Sequence, residues 1–141
     1  MILYLDTSTL VKLYVDEAGT EAVCARVDEA SSVVTARVAY AEARAAFARH
    51  RREGALTAAL LRRVVAHVDQ DWPRYTVVEI TDSVVRRAGA LAERHALRGY
   101  DAIHLAAALE VHGAGTNQEF ACCDVRLNRA ARREGLTVFA P

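Results

Sequence analysis

The sequence predicts an α/β protein built on a central, mostly parallel sheet of about five strands. Three observations carry that expectation. Short apolar runs of strand length alternate with segments of helix length, a pattern that favours a parallel sheet covered on both faces. Helix-ending residues fall between these segments, at Gly54, Pro73, Gly113 and Gly135. No linker or low-complexity tract interrupts the 141 residues, so the chain reads as a single domain over residues 1–141, long enough to bury a core without disulfides or a structural metal.

The elements follow in order. Ile2–Leu5 reads as the first strand, with helices over Ser8–Val15 and Thr20–Ala30 behind it. Val33–Thr35 is the second strand. Arg37–Arg52 is helical up to Gly54, and Thr57–Trp72 is stopped by Pro73, which lacks the N–H that a helix needs. Thr76–Ile80 is the third strand, followed by helices at Thr81–His95, ending before Arg98-Gly99, and at Asp101–Val111, ending at Gly113. Two brief strands, Ala121–Cys123 and Thr137–Phe139, flank a last helix over Arg126–Glu134.

Composition removes several classes of function. The hydrophobic fraction is 52%, but no apolar run approaches the roughly 20 residues that span a bilayer, so no membrane role is expected. The start "MILYLD" meets a carboxylate too early, and without a basic leader, to be a secretory signal, which predicts a cytoplasmic protein. Cys24, Cys122 and Cys123 are odd in number and lack C-x-x-C spacing, against both a disulfide framework and a zinc site. A formal net charge of zero excludes a uniformly basic nucleic-acid binder but leaves local patches open. Lys12 is the only lysine, and the arginines gather at Arg49-Arg51-Arg52, Arg62-Arg63, Arg86-Arg87 and Arg129-Arg132-Arg133. Such groups are ordinarily solvated helix faces, although the planar guanidinium also suits phosphate.

Four acids are oddly placed. Asp6 follows the apolar run of the first strand and Asp124 stands in the same relation to "FACC". Open parallel sheets bind ligands at the carboxyl ends of their strands. If these two strands are neighbours, their carboxylates share one edge and repel, so a cation must join them; hard oxygen donors without a His or Cys cluster point to Mg²⁺ or Mn²⁺. In "RVAYAEARAAFARH", Glu42 projects from a face otherwise suited to packing, one turn from Val38, Ala45 and Ala46. In "RGYDAIHLAAALE", Asp101 opens an apolar helix running through Ile103, Leu105, Ala106 and Leu109. Each acid also has a plain reading. Asp101 and Asp124 can cap helices, Asp6 can be a turn acid, and Glu42 can pair with Arg44 or Arg49 on a wet face.

The segments "YLDTSTLVKLYVDE", "ARVAYAEARAAFAR", "RGYDAIHLAAAL" and "CDVRLNRAARREGL" together resemble the PIN-domain endoribonucleases, most closely the VapC-type toxins of bacterial toxin–antitoxin modules. The resemblance spans essentially the whole chain. It implies a three-layer α/β/α PIN-like fold and an acidic quartet of Asp6, Glu42, Asp101 and Asp124 gathering one or two Mg²⁺ or Mn²⁺ ions. Ser8 matches the family's small hydroxyl after the first acid, with Thr7 as its companion, and Asn128 falls where the family often has a polar residue. An RNA substrate, a homodimer and a cognate antitoxin whose tail fills the acidic cleft are implied as well; the apolar helix "TAALLRRVVAHV" is a candidate interface. Cys122 departs from the Thr or Ser that many relatives carry two residues before the last acid, which removes a hydroxyl from the expected supporting bonds. His104 offers a general base, but a structural role is expected of it. A rim of Arg44, Arg51 and Arg98 is expected to touch RNA. Two other readings stay open: a non-catalytic binding module on the same fold, and a phosphatase with Asp6 as nucleophile, which fits poorly because Ser8 stands where a D-x-D motif needs its second acid.

Overall fold

A computed structural model describes residues 1–141. Its centre is a five-stranded sheet in which every pairing is parallel, so the expected mostly parallel sheet is wholly so. The strands are β1 (Ile2–Leu5), β2 (Ser32–Ala36), β3 (Thr76–Val78), β4 (Gln118–Ala121) and β5 (Thr137–Phe139), arranged in the order β3-β2-β1-β4-β5. The helices are α1 (Thr7–Val11), α2 (Thr20–Glu29), α3 (Val38–Arg52), α4 (Ala58–Asp71), α5 (Asp82–His95), α6 (Gly99–Val111) and α7 (Val125–Arg133). No helix is long and apolar enough to cross a membrane.

Alternation along the strands creates two cores, one on each face of the sheet. Leu3 and Leu5 of β1 point into a cluster with Ala39, Ala43 and Phe47 of α3 and Val64 and Val68 of α4. Tyr4, between them in sequence, points the other way into a cluster with Phe120 of β4, Val84 and Leu91 of α5, Leu105 of α6 and Leu127 of α7. The Tyr4 and Phe120 rings stack 5.4 Å apart across the β1–β4 pair. Helix layers therefore cover both faces, giving the three-layer α/β/α arrangement.

The strand order matters more than the count. From β1 the chain builds outwards through β2 and β3 on one side, then returns to add β4 and β5 on the other. The order thus reverses between β1 and β4, and an open α/β sheet has its crevice at the carboxyl ends of the two strands where this happens. Leu5 pairs with Ala121 at that place, and the Asp6 N–H donates to the Ala121 carbonyl at 3.1 Å.

Several boundaries differ from the expected ones for local reasons. β4 stops at Ala121 instead of reaching Cys123: the Cys122 N–H still completes the ladder to the Phe139 carbonyl of β5, but the Cys123 N–H turns to the Ser8 hydroxyl. Asp124 therefore follows a short connector, not the strand itself. α1 ends at Val11 because the Lys12, Leu13 and Tyr14 N–H groups turn to carbonyls three residues back, tightening the coil. α6 begins at Gly99, which places Asp101 inside the first turn. α4 and α5 start on Thr57 and Thr81, whose hydroxyls accept from the Leu60 and Val84 N–H groups.

The turn that delivers α6 contains the one non-glycine residue with positive φ, Ala96 at +53°, where the Leu97 N–H closes α5 on the Ala92 carbonyl. A left-handed alanine carries a steric cost that glycine does not. Ala96→Gly is therefore expected to raise the unfolding free energy by about 0.5–1 kcal/mol, read by urea denaturation; an unchanged or lower midpoint would show that glycine's extra freedom in the unfolded chain outweighs the relief.

Candidate active site

Asp6 ends β1 and opens α1 as its N-cap, so one carboxylate serves the turn and faces the crevice at once. Its Oδ1 accepts from the Ser8 hydroxyl at 2.7 Å, the Thr9 N–H at 3.0 Å and the Thr9 hydroxyl at 3.0 Å. The Thr9 hydroxyl also lies 3.0 Å from the Ala121 carbonyl, tying the turn to β4. The Ser8 and Thr9 hydroxyls hold the carboxylate to this turn. Thr9, fully buried, is a supporting residue that the sequence reading missed; its place in the run of hydroxyl residues directly after Asp6 was the available signal.

Glu42 rises from α3 into the same space, held by a chain of side chains. Its Oε1 lies 2.7 Å from His104 Nε2 and accepts from the Thr7 hydroxyl at 2.8 Å. His104 is 2% exposed, and its Nδ1 lies 3.0 Å from the Tyr4 hydroxyl. An ionised carboxylate can only accept, so Nε2 carries a proton. Glu42 thus joins neither Arg44 nor Arg49, and His104 has the structural role expected of it. Thr7 is tied to Glu42, while Ser8 is tied to Asp6.

Asp124 and Asp101 complete the group. Asp124 caps α7, its Oδ1 accepting from the Leu127 N–H at 2.8 Å. Asp101 caps nothing; its Oδ2 meets Arg98 Nε at 3.2 Å. All four acids line one cleft of about 620 Å³, together with Ser8, Lys12, Arg49, Arg52, Arg98 and His104 among others. In each acid a single oxygen takes the bonds described, while no N–H or O–H group of the protein reaches the other. The four free oxygens are hard donors, the chemistry that suits Mg²⁺ or Mn²⁺, although no three His, Cys, Asp or Glu side chains stand together as a group that could hold a metal ion.

The remaining expected residues divide. Asn128 is buried under the site and donates from Nδ2 to the Cys122 carbonyl at 2.8 Å, fixing the connector that carries Asp124. Cys122 is buried too; its sulfur accepts from the Asp124 N–H at 3.2 Å, a weaker substitute for a hydroxyl. Burial, and then the nearby Asp6 charge, push that thiol far above its ordinary range, so it stays protonated. Arg98 lines the cleft, but Arg44 and Arg51 do not. Arg44 instead lies over the Tyr40 ring and lines a separate groove between α3 and α4, whereas its helix neighbours Arg49 and Arg52 reach the cleft. The reason is the 100° step per residue on α3, which turns adjacent arginines to different sides. Lys12, 8% exposed, is held by Glu17 and the Ala18 carbonyl at 3.0 and 2.6 Å.

Burial acts to raise the Glu42 pKa, but the His104 hydrogen bond and charge, with the Thr7 hydroxyl, outweigh it and hold the carboxyl below its ordinary value. A depressed folded pKa contributes stability above the unfolded value, near 4.3 for Glu, that is lost as pH falls through the folded one. In His104→Leu the two bonding partners shrink to Thr7 alone, leaving burial dominant. Metal-free denaturation between about pH 6 and 3 should then show stability falling with acid in the parent and a weaker or reversed fall in the variant. Parallel curves would place the source elsewhere.

Comparison with known proteins agrees with this architecture. The chain matches the PIN domain family over residues 3–132. It is 38% identical over 137 residues to Ribonuclease VapC45 of Mycobacterium tuberculosis, covering 97% of this chain and 94% of that one. Among solved structures it resembles FitAcB from Neisseria gonorrhoeae, with a TM-score of 0.69 at 20% identity over 100% of this chain and 98% of that one. It also resembles a toxin–antitoxin complex from Klebsiella pneumoniae, with a TM-score of 0.62 at 15% identity over 86% of each chain. Fold, element order and sequence agree: the chain belongs to the PIN domain family, with the VapC ribonucleases as its relatives.

Proposed function

We propose that this chain is a Mg²⁺- or Mn²⁺-dependent endoribonuclease toxin, a single PIN domain over residues 1–141 that hydrolyses RNA phosphodiester bonds. The observation that carries the proposal is the set of four carboxylates from four separate segments lining one cleft at the β1–β4 switch point, each with an oxygen left free. Capping alone does not account for that arrangement: Asp101 and Glu42 cap no helix, yet both line the cleft with Asp6 and Asp124.

In this reading Asp6, Glu42, Asp101 and Asp124 hold the metal through their free oxygens. A bound divalent ion lowers the pKa of water and offsets negative charge building on the phosphoryl group. The protein's own residues do the rest. Ser8 and Thr9 fix the Asp6 carboxylate, and Thr7 and His104 fix that of Glu42, so neither can swing away from the cleft when substrate arrives. Of Asp101 and Glu42, one would give its free oxygen to the attacking water as proton acceptor and leave the ligation to the other acids. Arg98, on the cleft wall, attracts the phosphate. Hydrolysis by water leaves a 5′-phosphate and a 3′-hydroxyl and needs no help from the ribose 2′-hydroxyl. The preference for RNA is supported by the relative named a ribonuclease. A homodimer, a cognate antitoxin that closes the cleft and a cytoplasmic site of action belong to the same reading, the antitoxin supported by the likeness to a toxin–antitoxin complex.

Purified protein incubated with a mixed RNA pool should cut it in Mg²⁺ or Mn²⁺ and not in EDTA. Asp101→Asn, which keeps shape and removes charge, should reduce the rate by at least about 100-fold while the melting temperature stays near that of the parent. RNA left intact by folded, antitoxin-free protein across both metals would overturn the nuclease reading in favour of a non-catalytic binding module.

A further inference from the structure

Beside the acidic cleft lies a second concavity of about 750 Å³ that shares Arg98, Asp101, Cys123 and Asp124 with it and continues along α7 to Arg126 and Arg129. Three of its seven lining residues are arginines. Arg98 meets Asp101 and Arg126 reaches the Ala96 carbonyl at 3.3 Å, but neither Arg126 nor Arg129 faces an acid across a salt bridge. One exposed apolar side chain stands in its wall and another, Tyr100, directly precedes Asp101 of that wall in the chain. Large hydrophobics exposed on the whole protein number four, Leu60, Val85, Tyr100 and Val125; Tyr100 is 61% exposed between Arg98 and Asp101 in the chain, and Val125 is 72% exposed in the concavity wall.

Unpaired guanidinium groups next to an exposed ring and an exposed aliphatic side chain suit a ligand with alternating phosphates and flat apolar faces. A single nucleic-acid strand has that character, and bases stack on aromatic side chains whatever their sequence. An acidic peptide would use the arginines but leaves Tyr100 and Val125 without a reason to be bare. Chain continuity points the same way: a strand whose scissile phosphate sits at the four acids must leave the cleft, and the shared wall of Asp101, Cys123 and Asp124 opens directly onto Arg126 and Arg129.

We propose that Arg126, Arg129, Val125 and Tyr100 form a nucleotide subsite that holds the unpaired RNA strand on one side of the scissile phosphate, the arginines taking its phosphates and Tyr100 stacking a base. This rests on the nuclease reading for the identity of the neighbouring cleft, but it is tested by binding and not by cleavage.

A fluorescent single-stranded RNA oligonucleotide would be titrated with wild-type protein in EDTA over a series of salt concentrations, beside Arg129→Ala, Arg126→Ala, Tyr100→Ala and, on α4 away from both concavities, Arg63→Ala. Arg129 makes no structural bond, so its variant should fold as the parent does, which melting temperatures check. Each arginine variant of the subsite should flatten the plot of log K against log salt by about 0.7. Tyr100→Ala should weaken binding roughly ten-fold with the slope kept, and Arg63→Ala should change nothing. A parallel Mg²⁺ cleavage assay separates the two readings: cutting with slopes unchanged in the variants overturns the subsite alone, and slope changes without cutting overturn the nuclease alone. Loss of binding to a polyglutamate peptide in Arg129→Ala, with RNA binding unaffected, would reassign the concavity to an acidic protein partner and overturn the proposal.

Discussion

Four carboxylates directed into one cleft repel one another, and the structure around them is organised to bear that repulsion. Like charges at short range raise one another's energy unless donors or a cation oppose them. Here each acid is opposed locally and by a different device: the hydroxyls and N–H of the α1 turn for Asp6, the Thr7 and His104 pair for Glu42, Arg98 for Asp101 and the first turn of α7 for Asp124. None of these devices takes both oxygens. The arrangement keeps the acids in place and leaves one oxygen of each without an N–H or O–H donor, and such oxygens are the kind that a divalent cation takes.

That arrangement reaches deep into the core on the Tyr4 side of the sheet. His104 can hold Glu42 only because Tyr4 holds His104, and Tyr4 is fixed by stacking on Phe120 in the next strand. A ring pair in the middle of the sheet therefore sets the orientation of a carboxylate at its edge. On the α7 side, Asn128 grips the Cys122 carbonyl from within the core and so fixes the connector on which Asp124 stands. Packing and electrostatics are not separable in this site: a substitution that loosens Phe120 or Asn128 would act on the acids without touching them.

The sheet, its parallel sense and the helices of this fold were legible in the sequence because period and punctuation report local preference, and the acids at strand ends were legible because a charge after an apolar run is locally anomalous. Asp6, Glu42, Asp101 and Asp124 do meet in one cleft. What could not be read was anything set by a tertiary partner. β4 looked like Ala121–Cys123 because those residues are apolar, yet the Ser8 hydroxyl captures the Cys123 N–H and ends the strand early. Arg44 and Arg51 looked equivalent to Arg49 and Arg52 in composition, but the helix phase that separates them is visible only once α3 is docked by Ala39, Ala43 and Phe47.

The placement of Arg98 links the two concavities. It lines both, and its one acid partner, Asp101, is shared by both as well. While Arg98 is bonded to Asp101 Oδ2, the pair presents little net charge to either side. That bond leaves Asp101 Oδ1 free, so the carboxylate can meet a further partner in the cleft while Arg98 stays in place. The exposed position of Arg98, with 80% of its side chain accessible, keeps the bond weak and the guanidinium open to solvent.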